Sequence, residues 1–523
     1  MKKVFLKISI VYVFAALIFS GCAKKLQEHV YSDDTEDNFY TNATQVMAAY
    51  GLPYAFLQKV MYEIHFTMSE LSTDEVVVTV KANEGYENGQ WIRFFQHQWT
   101  SQEPFILYEW SNLYQGIGYC NSFIGAMENR DISGFDLPKP KEQLIAEVKM
   151  VRAMLYYWLL DQYGNVPVVT SLNTVNPETS PRAEVFAFVE KEIKDNISFL
   201  AKKGSSDWYG HFTQSAANAL LARLYLNAEV YTGTARWDDC ITACNNILEG
   251  DESYTLDANW NDPFKIRNEN SNENILVVPY DAVNAPGFNA VQVQLWGALG
   301  WQWYFNDWLW GKVVTPEAFF NLFGENDLRR NQWLFGPQTY VDENGAIQPV
   351  PGWYDQDGKQ FEIYPHIAML NNPTGGYGQG VCNVKYEIQK GTPQEASPTQ
   401  MSNDLVVFRL GEIMFIKAEC LMRKNNGVFT QEAIQLVNDV RARSFAPGDP
   451  DAVYTSLTLE EFLDERGREF AYEMKRREDL IRFGKFGDAR WEKTVDADRT
   501  KELYPIPYNI RLANPGLEQN PGY

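Results

Sequence analysis

The sequence predicts a mainly α protein in which tetratricopeptide-like helix pairs form a scaffold that carries a loop-rich, aromatic lobe. Apolar residues recur at three- and four-residue steps through both ends of the 523-residue chain, the period of one buried helix face. Two stretches, 216–248 and 408–444, repeat a helix–turn–helix design close to the ~34 residues of a tetratricopeptide unit. Between about 252 and 403 that period gives way to Gly, Pro, Asn and aromatic residues. A long irregular stretch in a folded chain is more often functional than idle.

The elements follow in chain order. Lys2, Lys3 and Lys7 precede an apolar run from Ile8 to Phe19. That run is too short to span a ~30 Å hydrocarbon core but suits a signal-peptide h-region. Ser20 and Gly21 then precede Cys22, an order that resembles a bacterial lipobox with Phe19 where Leu is usual. Residues 1–21 are therefore expected to be a lipoprotein signal peptide, with Cys22 acylated as the mature N-terminus. A plain secretory signal with an incidental cysteine is the alternative. Residues 22–36 read as a tether and 37–523 as a single domain, with its helical scaffold at 37–251 and 404–523 and its lobe at 252–403.

In the scaffold, Tyr108–Met127 and Leu144–Gln162 read as a helical hairpin that Gly164 and Pro167 terminate. The run 216–248 turns at Gly233, and 408–444 turns at Asn425–Gly427. Leu459–Phe483 reads as one further helix. Val76–Val80 and Asn274–Tyr280 are strand-like, and Pro316–Phe323 is a short helix within the lobe. Cys120, Cys240, Cys244, Cys382 and Cys420 are odd in number and irregular in spacing, which suits buried free thiols rather than a disulfide framework.

Composition excludes several functions. A formal charge of −22 offers no footprint for a phosphate backbone, so nucleic acid is not an expected partner. Five His and no HExxH pair leave no expected metal or cofactor site. No P-loop and no G-x-S-x-G elbow is present, and GGYGQG at 375–380 follows loop residues rather than a strand. A non-catalytic protein is the expectation. A glycoside hydrolase is the enzyme-class rival, since carboxylate pairs at glycosidase spacing cannot be read from sequence.

The densest chemical feature is WGALGWQWYFNDWLW, 296–310, which holds five of the 15 Trp. Sugar rings have apolar C–H faces that a flat indole covers and hydroxyl edges that amides and carboxylates hydrogen-bond. Trp296, Trp301, Trp303 and Trp308 are candidate stacking residues, with Trp301 and Trp303 alternating as in a strand. Gln302, Asn306 and Asp307 are candidate polar partners. Packing of a loop-rich core competes with this reading at each Trp.

Six blocks also resemble SusD/RagB-type nutrient-binding lipoproteins of Bacteroidetes. They are VRAMLYYWLLDQYGNVPVV (151–169), VVTPEAFFNLFGENDLRR (313–330), FRLGEIMFIKAEC (408–420), AIQLVNDVRARS (433–444), ERGREFAYEMKRREDLIRFGKF (465–486) and LYPIPYNIRLANPGLEQNPGY (503–523). The resemblance implies a SusD-like fold of four tetratricopeptide-like pairs. It also implies capture of an oligosaccharide or polysaccharide at the outer membrane and a SusC-like TonB-dependent transporter as partner. Peptides or another nutrient are the alternative cargo. AKKLQEH after Cys22 lacks the acidic cluster common in surface-exported lipoproteins of that phylum, so surface exposure is implied by the family alone. The loop after the first long helix contributes to the binding face in this family, which makes Tyr86 and Trp91 candidate stacking residues. Asp74, Asn83 and Arg93 are its candidate polar contacts, with a solvated turn at Asp74–Glu75 as the competing reading.

Overall fold

Helices dominate the computed structural model, which describes residues 39–523 apart from Asn306 and Pro393. The signal peptide, Cys22, the tether and Asn306 lie outside the described residues. Residues Met1–Val46 and Met47–Tyr523 are separate units, and the architecture below belongs to the second.

Helix α1 (Ala43–Val60) runs on through a π-helical turn, Met61–Phe66, into Thr67–Glu70. A short helix α2 (Gln90–Phe95) follows the early loop. Helix α3 (Pro104–Glu128) begins on a proline, whose missing N–H has no partner to lose at that position. It packs on α4 (Lys141–Gln162), and α4 packs in turn on α5 (Arg182–Asn196). All residues of α4 from Met150 to Gln162 are buried, so this helix is covered on every side.

Helix α6 (Gln214–Leu226) is capped by Thr213, which accepts from the Ala216 N–H at 3.1 Å. Its Ala216, Ala219 and Ala222 are fully buried and allow close approach of α7 (Trp237–Leu248). Gly233, with φ +75°, turns the chain between them. That left-handed conformation is one glycine adopts without a Cβ clash.

The lobe contributes short pieces. Strand β1 (Val77–Val78) comes from the early loop, and β2 (Asn274–Val278) opens the lobe. Helical turns α8 (Ala290–Gln294) and α9 (Gly300–Trp303) precede β3 (Val313–Val314), which pairs antiparallel with β1. The expected helix near 316–323 is α10 (Glu317–Phe320). Strand β4 (Leu405–Arg409) returns antiparallel to β2. Phe408 and Arg409 thus finish a strand rather than start a helix.

Helix α11 (Leu410–Lys424) follows directly and packs on α12 (Gln431–Arg441), on α7 and on α6. The two helix–turn–helix stretches of the sequence therefore stack on each other and share their apolar faces. The turn at 425–427 carries Asn426 and Gly427 at positive φ. The five described cysteines are free and buried.

The helix expected over 459–483 is two helices, α13 (Leu459–Phe470) and α14 (Arg476–Arg482). Between them Tyr472 and Met474 take positive φ, without glycine or proline. Buried polar contacts hold this break open. Lys385 donates to the carbonyls of Glu469 and Ala471 at 2.9 Å each, and Arg409 donates to Glu469 O at 3.0 Å. Those cations satisfy carbonyls that a continuous helix would have used internally.

They belong to a larger buried network. Arg329 pairs with Asp327 (2.7 Å), Glu465 (2.8 Å) and Glu469 (2.9 Å). Arg409 pairs with Glu273 (2.9 Å), Glu469 (2.9 Å) and Glu473 (2.8 Å). Arg443 joins Glu273, Arg441 joins Glu465, and Lys385 joins Glu473. Glu273, Asp327, Arg329 and Lys385 come from the lobe, and the rest come from β4 and the C-terminal helices. The charges thus fasten the lobe to the scaffold. Each has an opposite charge beside it, as burial of charge demands.

Candidate functional site

Segment 296–310 is a looped excursion from α8 that folds back on it. The amide of Trp310 donates to Gln292 O at 2.7 Å, and that of Lys312 donates to Val293 O at 2.8 Å. Asp307 fixes the loop tip, with Oδ1 accepting from the Trp308 amide (2.7 Å) and Oδ2 from Gln292 Nε2 (3.1 Å). Its carboxylate shapes the loop.

The tryptophans separate by burial. Trp308 is 61% exposed, and Trp301 and Trp310 also reach the surface. Trp296 is 2% exposed. Gly311 explains how it fits, because a Cβ there would lie 2.0 Å from the Trp296 ring. Trp303 is half-buried and stacks on Phe305, centroids 5.9 Å apart. Trp301 and Trp303 do not alternate as in a strand; both sit in α9, which Tyr304 ends at φ +55°.

Rings from three regions meet around Trp353. It stacks on Tyr377 (5.9 Å, 11°) and Tyr354 (5.7 Å, 24°), and Trp308 meets it edge-on at 5.9 Å. Tyr377 in turn meets Trp296 edge-on at 5.5 Å. Gly297 is required here, since a Cβ would lie 1.9 Å from the Trp353 ring. Trp301 belongs to a second group with Tyr340, 5.5 Å away, near the hairpin Thr339–Val341/Ile347–Pro349. Gln302 is held there by donating to Gln338 Oε1 at 2.9 Å.

Beside the Trp353 group is a cavity of about 180 Å³. Lys81, Glu84 and Glu87 of the early loop line it, with Trp296, Trp310, Lys312 and Tyr377. Lys312 pairs with Glu87 at 3.2 Å, and the Tyr377 hydroxyl donates to Glu84 at 2.7 Å. The early loop and the Trp-rich segment, far apart in sequence, thus share one face. The β1–β3 pairing brings them together.

Within the early loop, Tyr86 is exposed next to this cavity's Gly85 and Glu87. Trp91 is not a surface ring. It is 2% exposed, edge-on to Phe105 at 4.8 Å, and covered by the Lys312 ammonium at 4.4 Å. Arg93 is committed to Glu103 (2.8 Å) and to Asn88 O (2.6 Å). Asp74 is a scaffold residue: Arg476 takes both its oxygens at 2.8 Å, which holds its carboxyl below the usual range despite burial. Asp74–Glu75 is not a solvated turn either, because Glu75 is buried and accepts from the Tyr472 amide.

Sequence reasoning passed over Trp353, Tyr354, Tyr377 and Lys81. The Pro351-Gly352-Trp353-Tyr354 run was an available signal, as aromatics beside turn residues in an irregular stretch. Tyr377 lies inside the glycine-rich run 375–380, weighed in the sequence only against a dinucleotide-binding fingerprint. Among the described residues no cluster of His, Cys, Asp and Glu could hold a metal ion.

Residues 230–523 match the SusD family, and residues 27–226 match a second family described as starch-binding and associating with outer membrane. The starch-binding protein SusD of Bacteroides thetaiotaomicron is 24% identical over 499 residues, spanning 88% of this chain and 86% of its own length. A SusD-like protein of Bacteroides ovatus is 23% identical over 92% of this chain and 83% of its own. Among solved structures, a laminarin-binding SusD-like protein superposes with a TM-score of 0.71 at 22% identity, covering 92% of this chain and 100% of its own. Surface glycan-binding protein A of Bacteroides thetaiotaomicron, in complex with laminarihexaose, gives 0.68 at 19% identity over 92% of this chain and 100% of its own. At such identities the likeness to solved structures carries the fold. The family match spans more than half the sequence, and so the chain belongs to the SusD family.

Proposed function

We propose that this protein captures an oligosaccharide or polysaccharide without cleaving it and passes it to a SusC-like TonB-dependent transporter in the outer membrane. The observation that carries the reading is the ring group at Trp308, Trp353, Tyr354 and Tyr377 beside a polar cavity. Trp308 and Tyr354 are exposed, Trp353 is half-buried and the buried Tyr377 braces them, so the group offers apolar area to sugar C–H surfaces at little entropic cost. The neighbouring charged and amide groups suit hydroxyl edges. The names of the relatives, starch-binding and laminarin-binding, support the ligand class. The description of the second matched family supports outer-membrane association. Lipid on Cys22 would supply the anchor, with the body facing outward to meet polymer.

Native affinity gels loaded with a panel of soluble polysaccharides test this. Retardation by one related group of glycans, with no reducing sugar released, is the expected result. Dissociation constants on the order of micromolar to millimolar are expected, because a few stacking contacts must offset the entropy of association. Retardation by none, or release of sugar, would defeat the reading.

A further inference from the structure

The cavity beside the ring group holds more hydrogen-bond donors than it can satisfy. Lys81 is 4% exposed, and its ammonium lies 3.5 Å from the Trp296 ring centroid and 3.5 Å from Gln379 O, the outer limit of a hydrogen bond. No carboxylate of the described residues pairs with it. The two acids that line the cavity are engaged by other lining residues, Glu87 by Lys312 and Glu84 by the Tyr377 hydroxyl. Two further lining residues, Thr79 and Trp296, have buried polar atoms, Oγ1 and Nε1, with no partner. A buried ammonium left unpaired is costly. An indole N–H and an ammonium only donate, and a hydroxyl can do so.

We infer that the cavity is a subsite for an anionic substituent of the glycan, a uronate carboxylate or a sulfate ester, with Lys81 as its counter-ion. This deepens the glycan-capture reading and rests on it. Carboxylate and sulfate oxygens are acceptors that match the unmet donors, whereas a sugar hydroxyl brings no charge to offset the buried cation. The protein's −22 charge does not bar such a ligand, because at physiological salt distant charges are screened beyond ~8 Å.

The subsite also has a pH signature. Burial lowers the Lys81 ammonium to about 7, with the Cys382 thiol acting weakly the other way. The other titratable groups on the cavity wall are Lys312, Glu84, Glu87 and Tyr377. Burial and Glu84 push the Tyr377 hydroxyl far above its usual range, so it stays protonated. A bound anion favours the charged lysine, so binding takes up protons near neutrality and weakens as pH rises above about 7.

The test uses matched polymers: a uronate polysaccharide and its carboxyl-reduced form, and a sulfated polysaccharide and its desulfated form. Residues 23–523 are titrated by calorimetry in two buffers that differ in ionisation enthalpy. At least one acidic polymer should bind about ten-fold or more tightly than its neutral counterpart, with proton uptake. The pair that shows the difference identifies carboxylate or sulfate. Lys81→Met should abolish the difference and the proton uptake while keeping the far-UV spectrum and residual binding, and Lys81→Arg should keep the preference. Equal binding of both members of each pair, unchanged in Lys81→Met, overturns the anionic subsite and leaves glycan capture standing. Binding to neutral polymers alone does the same, and binding to none overturns both readings.

Discussion

At the scale of the residue, the aromatic face depends on where side chains are absent as much as where they are present. Gly297 and Gly311 are not equivalent, although a Cβ at either would run into a tryptophan. At Gly297 the obstructed ring is the half-buried Trp353, stacked on the buried Tyr377 and the exposed Tyr354. At Gly311 the obstructed ring is the buried Trp296, and φ is +56°. Gly297→Ala should therefore displace Trp353 and weaken glycan binding while leaving the melting temperature nearly unchanged. Gly311→Ala should cost ~1–3 kcal/mol of stability through overpacking and backbone strain. Trp308→Ala removes an exposed ring and should cost ~1–3 kcal/mol of binding, by analogy with base stacking on aromatics, again with stability retained. Parallel titrations and thermal melts of the three variants check this, and equal loss of stability in all three would contradict it.

At the scale of the element, the scaffold helices were legible because burial of one face leaves a 3.6-residue trace. The pairs α3/α4, α6/α7 and α11/α12 stand within a few residues of where that trace puts them. The break after Phe470 was not legible. Apolar periodicity runs straight through it, and the cause is remote: Lys385 and Arg409 reach the carbonyls that end α13. The same limit governs the site. Composition points to the Trp-rich segment, but which indole surfaces is decided by Gly311, Phe105 and Lys312, contacts no local pattern encodes. The break carries its own prediction. Lys385→Met keeps the aliphatic stem but leaves Glu473 with one fewer cation and two buried carbonyls without Lys385. It should destabilise by ~3–5 kcal/mol, the cost of breaking a buried pair, read as a lowered urea midpoint. A change below 1 kcal/mol would mean that the break is held by packing instead.

At the largest scale, the buried Arg–Glu network ties residues of the loop-rich stretch 252–403 to β4 and the C-terminal helices, and it fixes an acid limit. Arginines hold the carboxyls of Glu465, Glu473 and Glu419 down to about 2, each against the cost of burial, and Glu469 lower still. In the unfolded chain these groups titrate at their ordinary value of 4.5. Because the folded values are depressed, the unfolded state binds more protons between about 4.5 and 2. The stabilisation is complete above 4.5 and is lost as pH falls toward 2. Glu75, raised to about 8 by burial, does not blunt that loss, since below 4.5 it is protonated in both states. Between about 7 and 4.5, Glu75 and Glu478, raised by burial to about 8 and about 7, hold protons that the unfolded chain releases, and this offsets the opposite effect of His97. Burial lowers His97 to about 4 from 6.5, so unfolding lets it take a proton across that interval. Urea unfolding at pH 7, 5, 4 and 3 should therefore show no net loss to pH 5 and a steep loss below 4.5. The steep part should flatten in Glu419→Gln, even though that variant starts less stable. Glu419 bonds Arg482 (2.7 Å) and Arg423 (2.8 Å) on the scaffold side, away from the lobe. A flattening there with glycan affinity at pH 7 intact would assign acid sensitivity to the ion pairs and not to the aromatic face. A profile flat from pH 5 to 3 would remove the network as its cause.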